Sequence, residues 1–141
     1  MDGGGVKRRR KMAIKRSKWD IAFSNMIRER DNWTCQRCGI KYDKNTTSGR
    51  RALHCSHYMG RSKYSTRFSN DNCEALCHGC HRYFTAHPIA HHIHKMNKLG
   101  QDRHDELVLI SNKSTSKKKL LTDEFLKSLN KTLKEYEEKN G

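Results

Sequence analysis

Apolar residues in this chain fall in short clusters set in a polar background. Trp19, Phe23, Met26 and Ile27 recur at helical spacing and predict one amphipathic helix over 18–31. Ser17 reads as its N-cap, with Asp20 three residues on in a capping-box position. Residues 42–51 are polar and hold Asn45-Thr46-Thr47-Ser48-Gly49, which reads as a loop. Residues 52–58 read as a strand. A second, short strand over 67–72 and a helix that starts near Cys77 are expected from the cysteine and histidine motif more than from periodicity, which is weak in such short strands. Pro88 suits a first helical position, and Ile89, Ile93, Met96 and Leu99 form an apolar stripe that Gly100 ends. A helix over 102–110 and a Ser/Lys-rich linker over 111–119 come next. Thr122, Asp123 and Glu124 open a last helix with Leu121, Phe125, Leu129, Leu133 and Tyr136 on one face. That face either packs on the domain or pairs two copies, and packing is the preferred reading. No internal repeat is visible.

Composition narrows the picture. The chain has 141 residues, enough for one compact domain. Only 33% of them are hydrophobic and mean hydropathy is −1.05, so the core must be small and in need of a staple. Thirty Lys and Arg against 15 Asp and Glu leave a formal charge of +15, a field that attracts polyanions and above all nucleic acid. Residues 1–16 carry three glycines and a run of Lys and Arg and read as a disordered basic arm. The longest aliphatic run, Leu107-Val108-Leu109-Ile110, falls far short of the roughly 20 residues that span a bilayer. No membrane segment is expected, and the cytoplasm is the natural compartment.

Candidate chemistry is concentrated between Cys35 and His81. Cys35 and Cys38 form one Cys-x-x-Cys pair and Cys77 and Cys80 another. Two such knuckles can close one tetrahedral site, so these four are read as ligands of a structural Zn²⁺. Such a site supplies folding energy, and the metal-free chain is expected to be largely unfolded. Cys55 and Cys73 are left over and read as buried thiols. Between and just after the pairs stand His57, Asn72 and His81, within His54-Cys55-Ser56-His57-Tyr58 and Asn72-Cys73-Glu74-Ala75-Leu76-Cys77-His78-Gly79-Cys80-His81.

This arrangement resembles the HNH, or ββα-metal, endonucleases, in members that carry four cysteines. A narrower resemblance is to the phage NinG/Rap-type recombination nucleases. It rests on Phe-x-x-x-Ile-Arg-Glu-Arg-Asp from Phe23 to Asp31, on His57-Tyr58, on Arg67-Phe68 ahead of Asn72, and on a helical C-terminal extension with Leu99-Gly100-Gln101. It covers residues 20–138. The resemblance implies a small α+β fold: a zinc-stapled, treble-clef-like ββα-metal core over 17–100, flanking helices, and a helical extension over 101–141. It also implies a metal-dependent DNA endonuclease acting on branched or recombination-intermediate phage DNA in the host cytoplasm.

The roles then follow residue by residue. His57 is the general base, Asn72 orients its loop, and His81 ligates the catalytic metal. A neutral imidazole suits a base, since its reference pKa is about 6.5. Ser56 departs from the pattern, because the residue before the base is usually a carboxylate or histidine that also holds the metal. His54, two residues earlier on the same strand face, is the candidate replacement, and nitrogen ligation moves preference from Mg²⁺ toward a transition metal such as Mn²⁺, Ni²⁺ or Zn²⁺. Arg61, Lys63 and Arg67 are candidate DNA phosphate contacts, positioning the substrate without reading its sequence. His78 reads as a solvent-facing or phosphate-contacting residue, and His87, His91, His92 and His94 as a solvated helix face. The alternatives are a noncatalytic zinc-knuckle DNA-binding protein, a protein–protein adaptor using the C-terminal helix, and a site-specific restriction or homing HNH nuclease. A homodimer is compatible with paired incisions in a junction.

Overall fold

The structure is a computed structural model and describes residues 16–141. The basic arm read over 1–16 therefore lies outside the described residues apart from Arg16. The fold is small and α+β, with eight helices and one two-stranded sheet among the described residues.

Helix α1, Lys18–Arg30, is held at its start by the capping box: Asp20 N–H donates to Ser17 Oγ, and Ser17 N–H returns to Asp20 Oδ2. Its end is sharp. Asn32 and Trp33 both take left-handed backbone angles (φ 52° and 54°), and Trp33 N–H reaches back to the Arg28 carbonyl. This turn throws the chain into the first knuckle. Gly39, at φ 79°, closes that knuckle where a side chain would be strained, and Gly39 N–H donates to the Cys35 carbonyl at 2.9 Å.

A short helix, α2, Thr47–Ala52, occupies part of the stretch expected to be loop. It is capped by Thr46, whose hydroxyl accepts from Gly49 N–H. Strand β1, Leu53–His57, follows directly and pairs antiparallel with β2, Cys73–Cys77, in the register Leu53 to Cys77 and His57 to Cys73. The second strand thus lies later than the expected 67–72. Residues in that window instead form a one-turn helix α3, Tyr64–Arg67, and a 3₁₀ turn, Asn70–Asn72. The reason is burial: all five residues of β2 are buried, whereas 67–72 supplies the side chains and turns that fold the loop over β1.

Helix α4, His78–Ala86, begins at the residue after β2, so the second strand runs into the helix without a linker. Helices α5, Pro88–Leu99, and α6, Gln101–Ser111, meet at Gly100. A four-residue helix, α7, Lys117–Leu120, interrupts the expected linker, and α8, Asp123–Asn140, starts at the Thr122 cap.

Two apolar clusters flank the sheet. One gathers Trp33, Leu53, Leu76 and Phe84 around the cysteines of the knuckles. The other sets Phe23, Met26 and Ile27 of α1 against Cys73 and Leu129, with Phe125 and Leu133 partly buried beside them. The apolar face of α8 is thereby spent on α1. Trp19 Nε1–H donates to the Thr122 carbonyl and Asn140 Nδ2–H to the Glu29 carbonyl, so both helices run the same way. On α5, by contrast, Ile89 and Ile93 stay exposed although they belong to the expected stripe.

Buried charge ties loops to this frame. Arg67 is only 2% exposed and makes two bonds to Asp20, Nε–Oδ1 at 2.9 Å and Nη2–Oδ2 at 2.6 Å. Burial pushes the Asp20 carboxyl up, but bonds from Arg67 and Ser17 overcome that and hold it at about 2. Glu74 is likewise held at about 2: bonds from His94 and Lys95 outweigh its burial.

Asp20→Ala should cost about 3–5 kcal/mol, because it leaves the Arg67 guanidinium buried and unpaired. Denaturant unfolding of the zinc-loaded chain measures this, and a loss under 1 kcal/mol would show that Arg67 escapes to water. Because the folded carboxyl lies below its unfolded value, the pair's contribution is complete above about pH 4 and fades as pH falls toward 2.

Candidate functional site

The two knuckles meet. The Sγ atoms of Cys35, Cys38, Cys77 and Cys80 all lie within 4.8 Å of one another, and those of Cys38 and Cys77 are 3.8 Å apart. A tetrahedral zinc site with bonds of about 2.3 Å has edges of roughly 3.8 Å, so the four thiols fit one Zn²⁺. Cys77 Sγ also accepts from Cys80 N–H at the start of α4, and Arg37 Nη1 donates to Cys80 Sγ at 3.4 Å. Cys35 is held at about 6: burial raises it, but N–H groups of Cys38, Cys77 and Arg37 win. Cys80 is pushed up to about 12 by burial and neighbouring thiols. A cation is what allows all four to ionise together.

The sheet and α4 then place three imidazoles around one cleft of about 430 Å³, lined by His54, His57 and His81. His54 lies on β1 and His81 in the first turn of α4, and their Nδ1 atoms stand 3.0 Å apart. Burial lowers the pKa of both, and each is lowered further by neighbouring imidazoles. Two neutral rings with facing nitrogens at this separation can bond one divalent ion as neighbouring ligands. Ser56 is buried, pairs in register with Glu74 and does not line the cleft. His78 is exposed beside His54, with ring centroids 5.4 Å apart.

His57 is half-buried, and its Nε2–H donates to the Arg67 carbonyl at 2.9 Å. That bond fixes the tautomer and leaves Nδ1 with the lone pair. Burial, aided by the charges of Arg61 and Arg67, holds the ring at about 4. Asn72 is fully buried; its Oδ1 accepts from Met59 N–H at 2.7 Å, and its Nδ2 donates to the carbonyls of Met59 and Thr66. It clamps the loop that begins right after His57.

Five guanidinium groups line the same cleft: Arg16, Arg28, Arg50, Arg51 and Arg61. Arg50 and Arg51, at the end of α2, are exposed. Sequence reasoning passed over them, although an Arg-Arg pair directly before the strand that bears His54 and His57 was a usable signal. Arg61 borders the cleft with its Nη2 3.4 Å from Asp20, and Lys63 is exposed on the loop beyond. Arg67, expected to contact phosphate, is instead the buried partner of Asp20 and faces away from solvent. The histidines of α5 and His87, just before it, are dispersed: His91 stacks on Phe84, His92 bonds Tyr58, His94 bonds Glu74 and His87 stacks on Tyr83.

The chain belongs to the bacteriophage lambda NinG protein family, whose model matches residues 5–139. No curated protein and no solved structure matches it. Among the described residues no helix is long and apolar enough to cross a membrane.

Chelating the metal should unfold the chain, seen as loss of far-ultraviolet dichroism. Because loading must drive protons off the thiols, chelator competition should show weaker zinc binding at pH 6 than at pH 8. The His57 ring should titrate near pH 4 by NMR. The unfolded chain takes up that proton first, near 6.5, so the native state loses stability as pH falls from 6.5 to 4.

Proposed function

We propose that this protein is a metal-dependent endonuclease of the HNH type that hydrolyses phosphodiester bonds in DNA. The observation that carries the reading is the meeting of three features in one cleft: a neutral imidazole with a fixed lone pair, a facing pair of nitrogens, and an arginine-lined wall.

Each feature answers one demand of the reaction. His57 Nδ1 takes the proton of the attacking water, and the Arg67 carbonyl stabilises the imidazolium that forms by accepting from Nε2–H. Asn72 holds the loop after His57 and so keeps the ring in place. His54 and His81 are the residues that would hold the catalytic cation; when bound, that cation neutralises charge on the scissile phosphate and the leaving oxygen. An all-nitrogen pair favours Mn²⁺ or Ni²⁺ over Mg²⁺. Arg28, Arg50, Arg51 and Arg61 hold neighbouring phosphates, which positions the duplex without reading bases. Family membership supports a phage protein and, with it, branched recombination intermediates as the substrate.

The noncatalytic DNA-binding reading draws on Ser56, which offers the cleft no ligand. It is the weaker of the two because His54 supplies a nitrogen where Ser56 supplies nothing.

Cleavage of a labelled four-way junction and of linear duplex decides between them. His57→Ala should lower the rate by about 10²–10⁴-fold while DNA affinity stays within a factor of a few. Equal cutting by both proteins, or none by either in Mg²⁺, Mn²⁺ or Ni²⁺, would overturn the nuclease.

A further inference from the structure

The pairing register brings together three side chains that the hydrolytic reading does not use as a set. Cys55 and His57 are two residues apart on β1 and so share a face. Cys73 is the ladder partner of His57. A metal-ligating atom from each, two thiol sulfurs and one ring nitrogen, lies within 4.8 Å of the other two. The Arg67 carbonyl oxygen closes the same spot, 2.9 Å from His57 Nε2 and 3.9 Å from Cys73 Sγ.

We propose that Cys55, His57 and Cys73 form a second metal site, separate from the four-cysteine cluster, which takes a thiophilic cation such as Zn²⁺ or Cd²⁺ and switches off His57 when filled.

The donor set is two soft sulfurs and an imidazole, which selects against Mg²⁺ and Ca²⁺. Two thiolates and one divalent cation are neutral together, so the filled site needs no counter-charge. Cys73 is fully buried, and burial keeps its thiol protonated well above the usual range. A cation that replaces the proton removes that penalty, while Arg30 and Lys95 favour the thiolate. Loading releases two thiol protons to water and makes two metal–sulfur bonds and one metal–nitrogen bond, with no change of oxidation state.

The effect on His57 follows from its two nitrogens. A metal-bound neutral imidazole carries its proton on the other nitrogen. Whichever nitrogen binds, no lone pair remains to accept a proton from water. This consequence rests on the nuclease reading; the site itself does not.

The test uses the full chain under a thiol-free reductant, in a His54→Ala/His81→Ala background that removes the competing nitrogen pair. Two equivalents of ¹¹³Cd²⁺ should give two resonances of equal intensity: one in the four-sulfur range, the other upfield, where mixed sulfur–nitrogen ligation falls. A second cadmium that does not bind, or that appears in the range of purely nitrogen and oxygen ligands, overturns the site. Cys55→Ser should abolish or shift only the upfield signal, the four-sulfur signal reporting that the chain is folded; two unchanged signals overturn the assignment. If that variant misfolds, the parent spectrum decides alone.

With His54 and His81 intact, cleavage should fall at least tenfold once a second equivalent of Cd²⁺ is added. The Cys55→Ser protein, whatever its basal rate, should lose that sensitivity. Inhibition that persists unchanged in Cys55→Ser overturns the switch. Absence of cleavage under every metal overturns the nuclease reading, while the cadmium spectrum still decides the site.

Discussion

Cys77 is the residue from which the rest of the structure is measured. It ends β2 opposite Leu53, caps α4 with its sulfur, and stands 3.8 Å from Cys38 in the four-cysteine cluster. One residue thus fixes the strand register, the direction of the following helix and the attachment of the first knuckle. His54 and His57 sit at set positions of the strand that pairs with it, and His81 one turn along the helix that it caps. A chain with so few apolar residues could not hold three imidazoles at fixed distances by packing alone. The cluster does so by joining residues about 40 positions apart, a link whose energy becomes folding energy when metal binds.

The acidic residues complete this frame from inside. In a chain carrying +15, Asp20 and Glu74 are buried and paired with Arg67 and Lys95. Asp31 accepts from Ala75 N–H and so binds the end of α1 to the outer edge of β2. Carboxylates spent in this way do not neutralise the surface, and among the described residues Arg50 and Arg51 face the cleft without acidic partners. The same economy accounts for Arg67. The loop after His57 needs an anchor, and a guanidinium that makes a forked bond to Asp20 supplies it.

How much of this was legible depended on whether the governing interaction was local. The caps of α1 and α8 and the Pro88–Gly100 bounds of α5 are local chemistry, and they lie where the sequence puts them. The four cysteines were legible because knuckle spacing is itself local geometry. The second strand was displaced because its position follows from pairing with β1, and short strands carry too little periodicity to show it. The burial of Arg67 turns on a partner 47 positions earlier, which no spacing rule reaches. His54 was reached by strand alternation alone, since i and i+2 share a face; its approach to the His81 ring needed α4 in place.

The alternation that makes His57 available to the cleft also gives it Cys55 as a same-face neighbour and Cys73 as a cross-strand one. A histidine presented by a two-stranded sheet must have such neighbours, and apolar residues would serve if packing were their only task. Thiols at both positions pack equally well but bring a coordination chemistry that alanine or valine lacks. In the proposed nuclease, the hydrogen bond from His57 to the Arg67 carbonyl sets the state of the base. It leaves Nδ1 with a lone pair free for a proton when the thiols are unoccupied. On the two proposals together, the base and the ligand are one residue, and what separates the two states is the occupancy of the sulfurs beside it.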